Sequence, residues 1–200
     1  MGRRVLIIGG SPCSGKSTIA ERIAQEFGAV FFKVDDYLNA FMETAAAQGK
    51  PLCKKSLSMT PEEIWMREPK LQCAEEFGIY RELAEQVWKQ LEGLDAELIV
   101  TEGAAYTPTV MRGRENQEYI AIVPSPEFQI THYRQREWVP FVLEGCSDKE
   151  KAFENWMERD VLFAKQVRRE CEECGVPCLV NDGSLSLDEM YEQVKELFSL

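Results

Sequence analysis

VLIIGGSPCSGKST, residues 5–18, runs four consecutive apolar residues into a glycine-rich loop that ends in Lys16-Ser17-Thr18. Val5 to Ile8 read as a strand buried on both faces. Gly10-Ser11-Pro12-Cys13-Ser14-Gly15-Lys16-Ser17 satisfies G-x-x-x-x-G-K-[ST] at every fixed position. Glycines there let the backbone wrap closely, so that its N–H groups and the N-terminus of the next helix surround a β-phosphate. Lys16 then bridges the β- and γ-phosphates, and the Ser17 hydroxyl completes a Mg²⁺ shell. Gly10, Ser11, Cys13, Ser14, Gly15, Lys16, Ser17 and Thr18 are therefore the expected nucleotide-binding residues, with ATP and Mg²⁺ as the implied cofactors. The helix leading out should face the core with Ile19, Ile23 and Phe27, spaced four apart, and stop at Gly28.

Beyond the loop, short apolar runs alternate with longer helical patterns, the signature of βαβ units and a parallel sheet. Five runs read as strands: Val5 to Ile8, Val30 to Val34, Glu97 to Thr101, Tyr119 to Val123 and Cys178 to Val180. Thr60-Pro61-x-Glu63, Ser147-x-x-Glu150 and Ser186-x-x-Glu189 are capping boxes, and Thr107-Pro108 and Ser125-Pro126 pair a cap with a first-turn proline. Phe77, Tyr80, Ala84, Val87 and Leu91 mark one face of a long helix, and a second long helix runs from about Lys149 to Glu173. Residues 40–72 read as a helix-rich insertion on the acceptor side, in which Phe41, Met42 and Trp65 are candidates for stacking on a ring, although core packing is the commoner use.

The chain of 200 residues is of a size for one domain, spanning 1–200, and carries a net charge of −11. So acidic a surface argues against nucleic acid or an anionic membrane as partner, so an anionic ligand must be met by local positive charge. The N-terminus lacks the features of a signal peptide, and Met1-Gly2 is not followed by the Ser or Thr of an acylation motif. Seven cysteines, an odd number, suit reduced thiols, and the expected location is the cytoplasm. In the cluster Cys171-x-x-Cys174-x-x-x-Cys178, Cys171 and Cys174 continue an apolar helical stripe and read as core rather than as metal ligands.

Kinases, GTPases and remodelling ATPases share the phosphate loop, so other residues must separate them. Val180-Asn181-Asp182-Gly183 does not fit the guanine-specificity motif of a GTPase, and the third strand ends in Thr101-Glu102-Gly103 rather than Asp-Glu. Glu102 is placed to order water on Mg²⁺. The second strand ends in Val34-Asp35-Asp36-Tyr37, at the edge where a doubly wound sheet binds its ligands. Asp35 is the expected base for an acceptor hydroxyl. Asp36 either orients the acceptor or caps the helix Tyr37 to Ala47.

SPCSGKST, VDDY and TEG together resemble the P-loop nucleoside and small-molecule kinases: uridine kinase-like, nicotinamide riboside kinase-like and chloramphenicol phosphotransferase-like enzymes. The resemblance implies an α/β, three-layer fold, with a five-stranded parallel sheet in order 2-3-1-4-5, helices on both faces and a short lid. It implies phosphoryl transfer from ATP to a hydroxyl or phosphate of a small molecule, with Asp35 as the base. Residues 134–159 resemble the lid of nucleotide-kinase-like proteins, which makes Arg134 and Arg159 the expected catalytic guanidiniums and Arg136 a weaker acceptor contact. Arg112, near Arg114, is a further candidate for an anionic acceptor, although exposure is the commoner state. In the family the loop holding Asp182 passes the adenine. The competing reading is an ATPase or nucleotide-sensing regulator, which needs neither the Asp35-Asp36 pair, nor the lid, nor the insertion.

Overall fold

A computed structural model describes residues 3–114 and 117–200; Met1 and Gly2, where an acylation motif was considered, lie outside them. Strands and helices alternate as β1 (Arg4–Gly10), α1 (Lys16–Phe27), β2 (Val30–Lys33), a 3₁₀ turn (Val34–Tyr37), α2 (Leu38–Ala47), α3 (Pro51–Ser58), α4 (Pro61–Trp65) and α5 (Pro69–Glu92). The second half continues with β3 (Leu98–Glu102), α6 (Pro108–Met111), β4 (Glu118–Pro124), α7 (Pro126–Arg134), α8 (Val139–Val142), α9 (Lys149–Cys174), β5 (Cys178–Asn181) and α10 (Leu187–Leu197). The strands form one sheet in the order β2-β3-β1-β4-β5, every neighbouring pair parallel. The sheet therefore has the order implied by the resemblance.

Alternate residues of each strand feed opposite faces. Ile7, Phe32, Ile99, Ala121 and Val123 pack with Phe77, Leu83 and Val87 of α5 and with Phe163 and Val167 of α9. Leu6, Ile8, Val100, Ile120 and Ile122 pack on the other face with Ile19 and Ile23 of α1 and Tyr191 and Val194 of α10. Three layers result. The register pairs Ile8 with Glu102, Gly10 with Ile122, Lys33 with Glu102 and Pro124 with Asn181, so the carboxyl ends of the strands come together along one edge.

Local capping signals hold at most helix ends and fail at two, the starts of α9 and α2. Thr60 and Ser186 make full capping boxes, and Gly28 ends α1 in the left-handed conformation. Phe27, in the last turn of α1, is 37% exposed; Ala20 and Ala24 complete the buried face instead. Asp148, not Ser147, caps α9. Tyr37 holds the N-cap position of α2, so Asp36 does not. Cys171 is in the core, whereas Cys174, nearly a full turn on at the helix end, is exposed.

The chain beyond β3 fixes the position of Glu102. Residues 102–108 are all buried, the Tyr119 hydroxyl donates to the Tyr106 carbonyl at 2.7 Å, and the Tyr106 and Thr101 hydroxyls bond at 2.8 Å. A Cβ on Gly103 would stand 2.8 Å from Cβ of Val34, the residue before Asp35. Gly103→Ala is therefore expected to cost about 1–3 kcal/mol by overpacking, read as a lower urea midpoint at unchanged slope. An unchanged midpoint would mean that Val34 yields freely.

Candidate active site

The phosphate loop is held from outside by side chains distant in sequence. Gly10 has φ 118°, and a Cβ there would fall 1.9 Å from the Ile122 carbonyl oxygen, so the close approach of β1 to β4 requires glycine. Ser11 N–H donates to that carbonyl at 3.1 Å. The Pro12 carbonyl accepts from Gln129 Nε2 at 3.2 Å, and the Ser14 carbonyl accepts from Asn181 Nδ2 at 3.1 Å. In a planar trans peptide the C=O and the next N–H point oppositely. Turning these two carbonyls outward therefore aims the N–H groups of Cys13 and Gly15 inward. The Ser11 and Ser14 hydroxyls are buried without a hydrogen-bond partner among the described residues.

Gln129 and Asn181 were not singled out from the sequence. Nothing local marks Gln129, one turn into α7. Asn181 at least stood at the carboxyl end of a strand, where ligand residues gather.

Cys13 occupies the left-handed region at φ 65°, and its sulfur accepts from Arg136 Nη2 at 3.5 Å. Burial pushes its thiol up, with Arg136 opposing. Burial also pushes Cys53 and Cys73 up to about 12. Because the thiolate is the nucleophile, a raised pKa slows alkylation at neutral pH and restores it as pH rises. At pH near 7.5, iodoacetamide is expected to label exposed Cys174 and leave Cys53 and Cys73 unlabelled. Cys13 is expected to label slowly, and faster as the pH is raised. Peptide mass spectrometry reads the order, and rapid neutral-pH labelling of Cys13 would contradict it.

Lys16, at the start of α1, is buried with its ammonium 3.7 Å from Glu102. Glu102 is fully buried, and neither oxygen makes a sound hydrogen bond among the described residues. Burial raises its pKa; Lys16 and the nearby Ser17 hydroxyl hold it down, and the Asp35 carboxylate pushes it further up. Ser17 is half-buried and Thr18 exposed. Asp35 is exposed in the 3₁₀ turn and also acts on the Tyr80 hydroxyl, whose pKa burial, Glu76 and Asp35 all raise. Asp35 is thus close enough to act electrostatically on both Glu102 and Tyr80. Asp36, also exposed, sits 3.6 Å from Lys33.

On the Tyr80 side a cavity of about 220 Å³ is lined by Leu38 and Met42 of α2, Trp65 of α4, Gln72 and Tyr80 of α5, and Arg159 of α9. Residues 60–65, of which Ile64 and Trp65 line it, are tied to residues 147–156. The Ser147 N–H and hydroxyl both donate to Glu62 at 2.8 Å, Asn155 donates to the Trp65 carbonyl at 2.9 Å, and Trp65 stacks on Trp156 at 4.7 Å. Ser147 thus serves a tertiary contact instead of a cap.

The arginines separate by direction. Arg134 is exposed, lies over Phe153 and pairs with Glu150 at 2.8 Å, away from the phosphate loop. Arg136, two residues past the end of α7, reaches Cys13 instead. Arg159 pairs with Glu76 and with Asp160 at 2.6 Å and lies over Trp65. Asp160 is raised to about 7 by burial, with Arg159 opposing. Arg112 is exposed, two residues before Arg114, which pairs with Glu92 at the end of α5, at the amino ends of the strands. It is thus remote from the acceptor side, correcting that expectation.

A second cavity, of about 560 Å³, adjoins the loop's other flank and is lined by Cys13, Gly15, Phe128, Arg136, Asn181 and Gly183. Asp182 is not in its wall. Its carboxylate accepts from Ser184 N–H at 2.9 Å and stays exposed.

No protein-family model matches the chain, and no curated protein does. Solved structures do. A shikimate kinase from Bacteroides thetaiotaomicron matches with a TM-score of 0.53 at 14% identity, covering 98% of this chain and 99% of that one. A gluconokinase from Sinorhizobium meliloti gives 0.51 at 12% identity, covering 98% and 91%. A shikimate kinase from Acinetobacter baumannii in complex with shikimate gives 0.51 at 12%, covering 100% and 94%. Identities this low show a shared fold, the three-layer arrangement around a phosphate loop. No helix among the described residues is long and apolar enough to cross a membrane.

Proposed function

We propose that this chain is an ATP- and Mg²⁺-dependent phosphotransferase acting on a hydroxyl, or a phosphate, of a small molecule. The observation that carries the reading is Asp35, a carboxylate in the turn just after β2 that acts on both Glu102, the partner of Lys16, and Tyr80, which lines the cavity. An ATPase or regulator has no need of such a carboxylate beside a second cavity. The kinases that share the fold support the same reading, as does the likeness of VDDY to uridine kinase-like and chloramphenicol phosphotransferase-like enzymes.

The residues present fit the two groups. Two buried loop hydroxyls without partners and two inward N–H groups suit phosphate oxygens. A buried carboxylate with no sound hydrogen bond, beside the Ser17 hydroxyl, suits a hard cation reached through water. When bound, Mg-ATP supplies the phosphoryl group and the charge that offsets it. Lys16 would hold negative charge on the bound phosphates, Ser17 and Glu102 would hold the metal, and Arg136 reaches the loop from outside. Asp35 accepts the proton of the acceptor hydroxyl as its oxygen attacks. Residues 60–65 and 147–156, joined through Glu62 and Ser147, act as the lid that excludes water.

The test is ADP release measured alone and with a panel of nucleosides, amino sugars and sugar acids. At least one acceptor is expected to accelerate release. Turnover that no acceptor changes would favour the ATPase reading.

A further inference from the structure

We infer that the acceptor pocket takes an uncharged hydroxyl compound with an apolar ring, and discriminates against carboxylated and phosphorylated ones. This rests on the phosphotransferase reading of the same site. The pocket and its margin carry three cations and three carboxylates, and each is already matched within the chain. Arg67 pairs with Glu75 at 2.6 Å, and Lys55 pairs with the other oxygen of Glu75 at 2.6 Å. Arg159 pairs with Glu76 and with Asp160. The second oxygen of Glu76 accepts from the Tyr80 hydroxyl at 2.8 Å. With Asp160 ionised the formal charges cancel, and Asp35, close enough to act on Tyr80, adds a negative one.

An anionic acceptor entering here must compete with Glu75 or Glu76 for a guanidinium of the wall, and drawing it off strips a partly buried carboxylate of one of its two partners. The alternative is to lie desolvated beside carboxylates, which costs as much or more. A neutral ligand meets neither penalty. Apolar surface from Leu38, Met42, Ile64 and Ile79 and the ring of Trp65 complete the lining. Among the neutral side chains of this wall, Gln72 keeps an unspent polar atom. Gln72 is 4% exposed, its amide nitrogen donates to the Arg67 carbonyl at 2.9 Å, and its Oε1 has no partner among the described residues. That atom is a neutral acceptor, suited to a hydroxyl donor and unsuited to a carboxylate or phosphate oxygen.

Trp65 lines the cavity, so intrinsic tryptophan fluorescence reads occupancy without catalysis. The experiment titrates the full chain, its phosphate loop saturated with a non-hydrolysable ATP analogue, with three matched pairs. These are phenyl glucoside and phenyl glucuronide, uridine and uridine monophosphate, and myo-inositol and its monophosphate. ADP release is measured on the same compounds with ATP. For at least one pair, the neutral member is expected to give a saturable change and the charged member to bind at least about tenfold more weakly. Glu75→Gln, which frees Arg67 and Lys55, is expected to narrow that gap. Equal or tighter binding of the charged members would overturn the neutral-acceptor inference, and the phosphotransferase reading would stand if they also accelerate ADP release. Neutral preference without accelerated release would support the pocket's selectivity and overturn phosphoryl transfer. The absence of any saturable change would overturn the pocket assignment.

Discussion

Lys16→Met is expected to lower acceptor-dependent ADP release by about 10²–10³-fold, the usual cost of removing one preorganised charge from a transition state. The side chain is buried at the start of α1, where the helix N-terminus already favours negative charge. Methionine keeps the apolar stem and roughly the length, so the loop contacts from Gln129 and Asn181 are preserved. What changes is the charge 3.7 Å from Glu102. Burial pushes the Glu102 carboxyl up and Lys16 is the main influence holding it down. Without the ammonium, Glu102 holds its proton to higher pH. The loss should therefore ease as the pH is raised and Glu102 ionises. A variant within about threefold of the parent would remove Lys16 from the reaction, since one charge-assisted hydrogen bond is itself worth roughly 1.5–3 kcal/mol.

What was legible in the sequence was what neighbours in sequence decide. Residues 5–18 specify strand, loop and helix start within one window, and the caps at Thr60 and Ser186 depend on a residue three places away. The sheet order came from likeness to a family, not from any local pattern. Where a distant residue competes, local reading fails. Ser147 has the spacing of a capping box, yet Glu62, 85 positions earlier, takes both its N–H and its hydroxyl. Gln129 and Asn181 reach the phosphate loop across separations of 117 and 167; the strand end marks Asn181 as near the site, but nothing local announces either contact. The basic cluster at 134–136 was visible as a cluster, but which arginine turns toward Cys13 depends on where α7 ends. The charge balance of the acceptor cavity was likewise hidden, since Glu75 and Glu76 are unremarkable in a helix until Arg67, Lys55 and Arg159 are folded against them.

Asp35→Asn is expected to lower acceptor-dependent ADP release by about 10²–10⁴-fold, the range of a positioned general base, while binding of nucleotide and of acceptor changes little. The amide has the shape of the carboxylate and cannot take the acceptor's proton. The site of substitution is well fixed although exposed: Val34 before it is buried against Gly103, and the 3₁₀ turn leads directly into α2. Removing the negative charge also relieves Glu102 and Tyr80, whose pKa values Asp35 helps to raise. Both should therefore ionise more readily, so a loss of activity cannot be assigned to a Glu102 that has become harder to ionise. Asp36→Asn is the control. Its carboxylate is exposed and faces Lys33 at 3.6 Å, so little change is expected. The two variants, assayed with and without acceptor, separate the readings. A kinase loses the acceptor-dependent part only in Asp35→Asn, and an ATPase loses nothing in either.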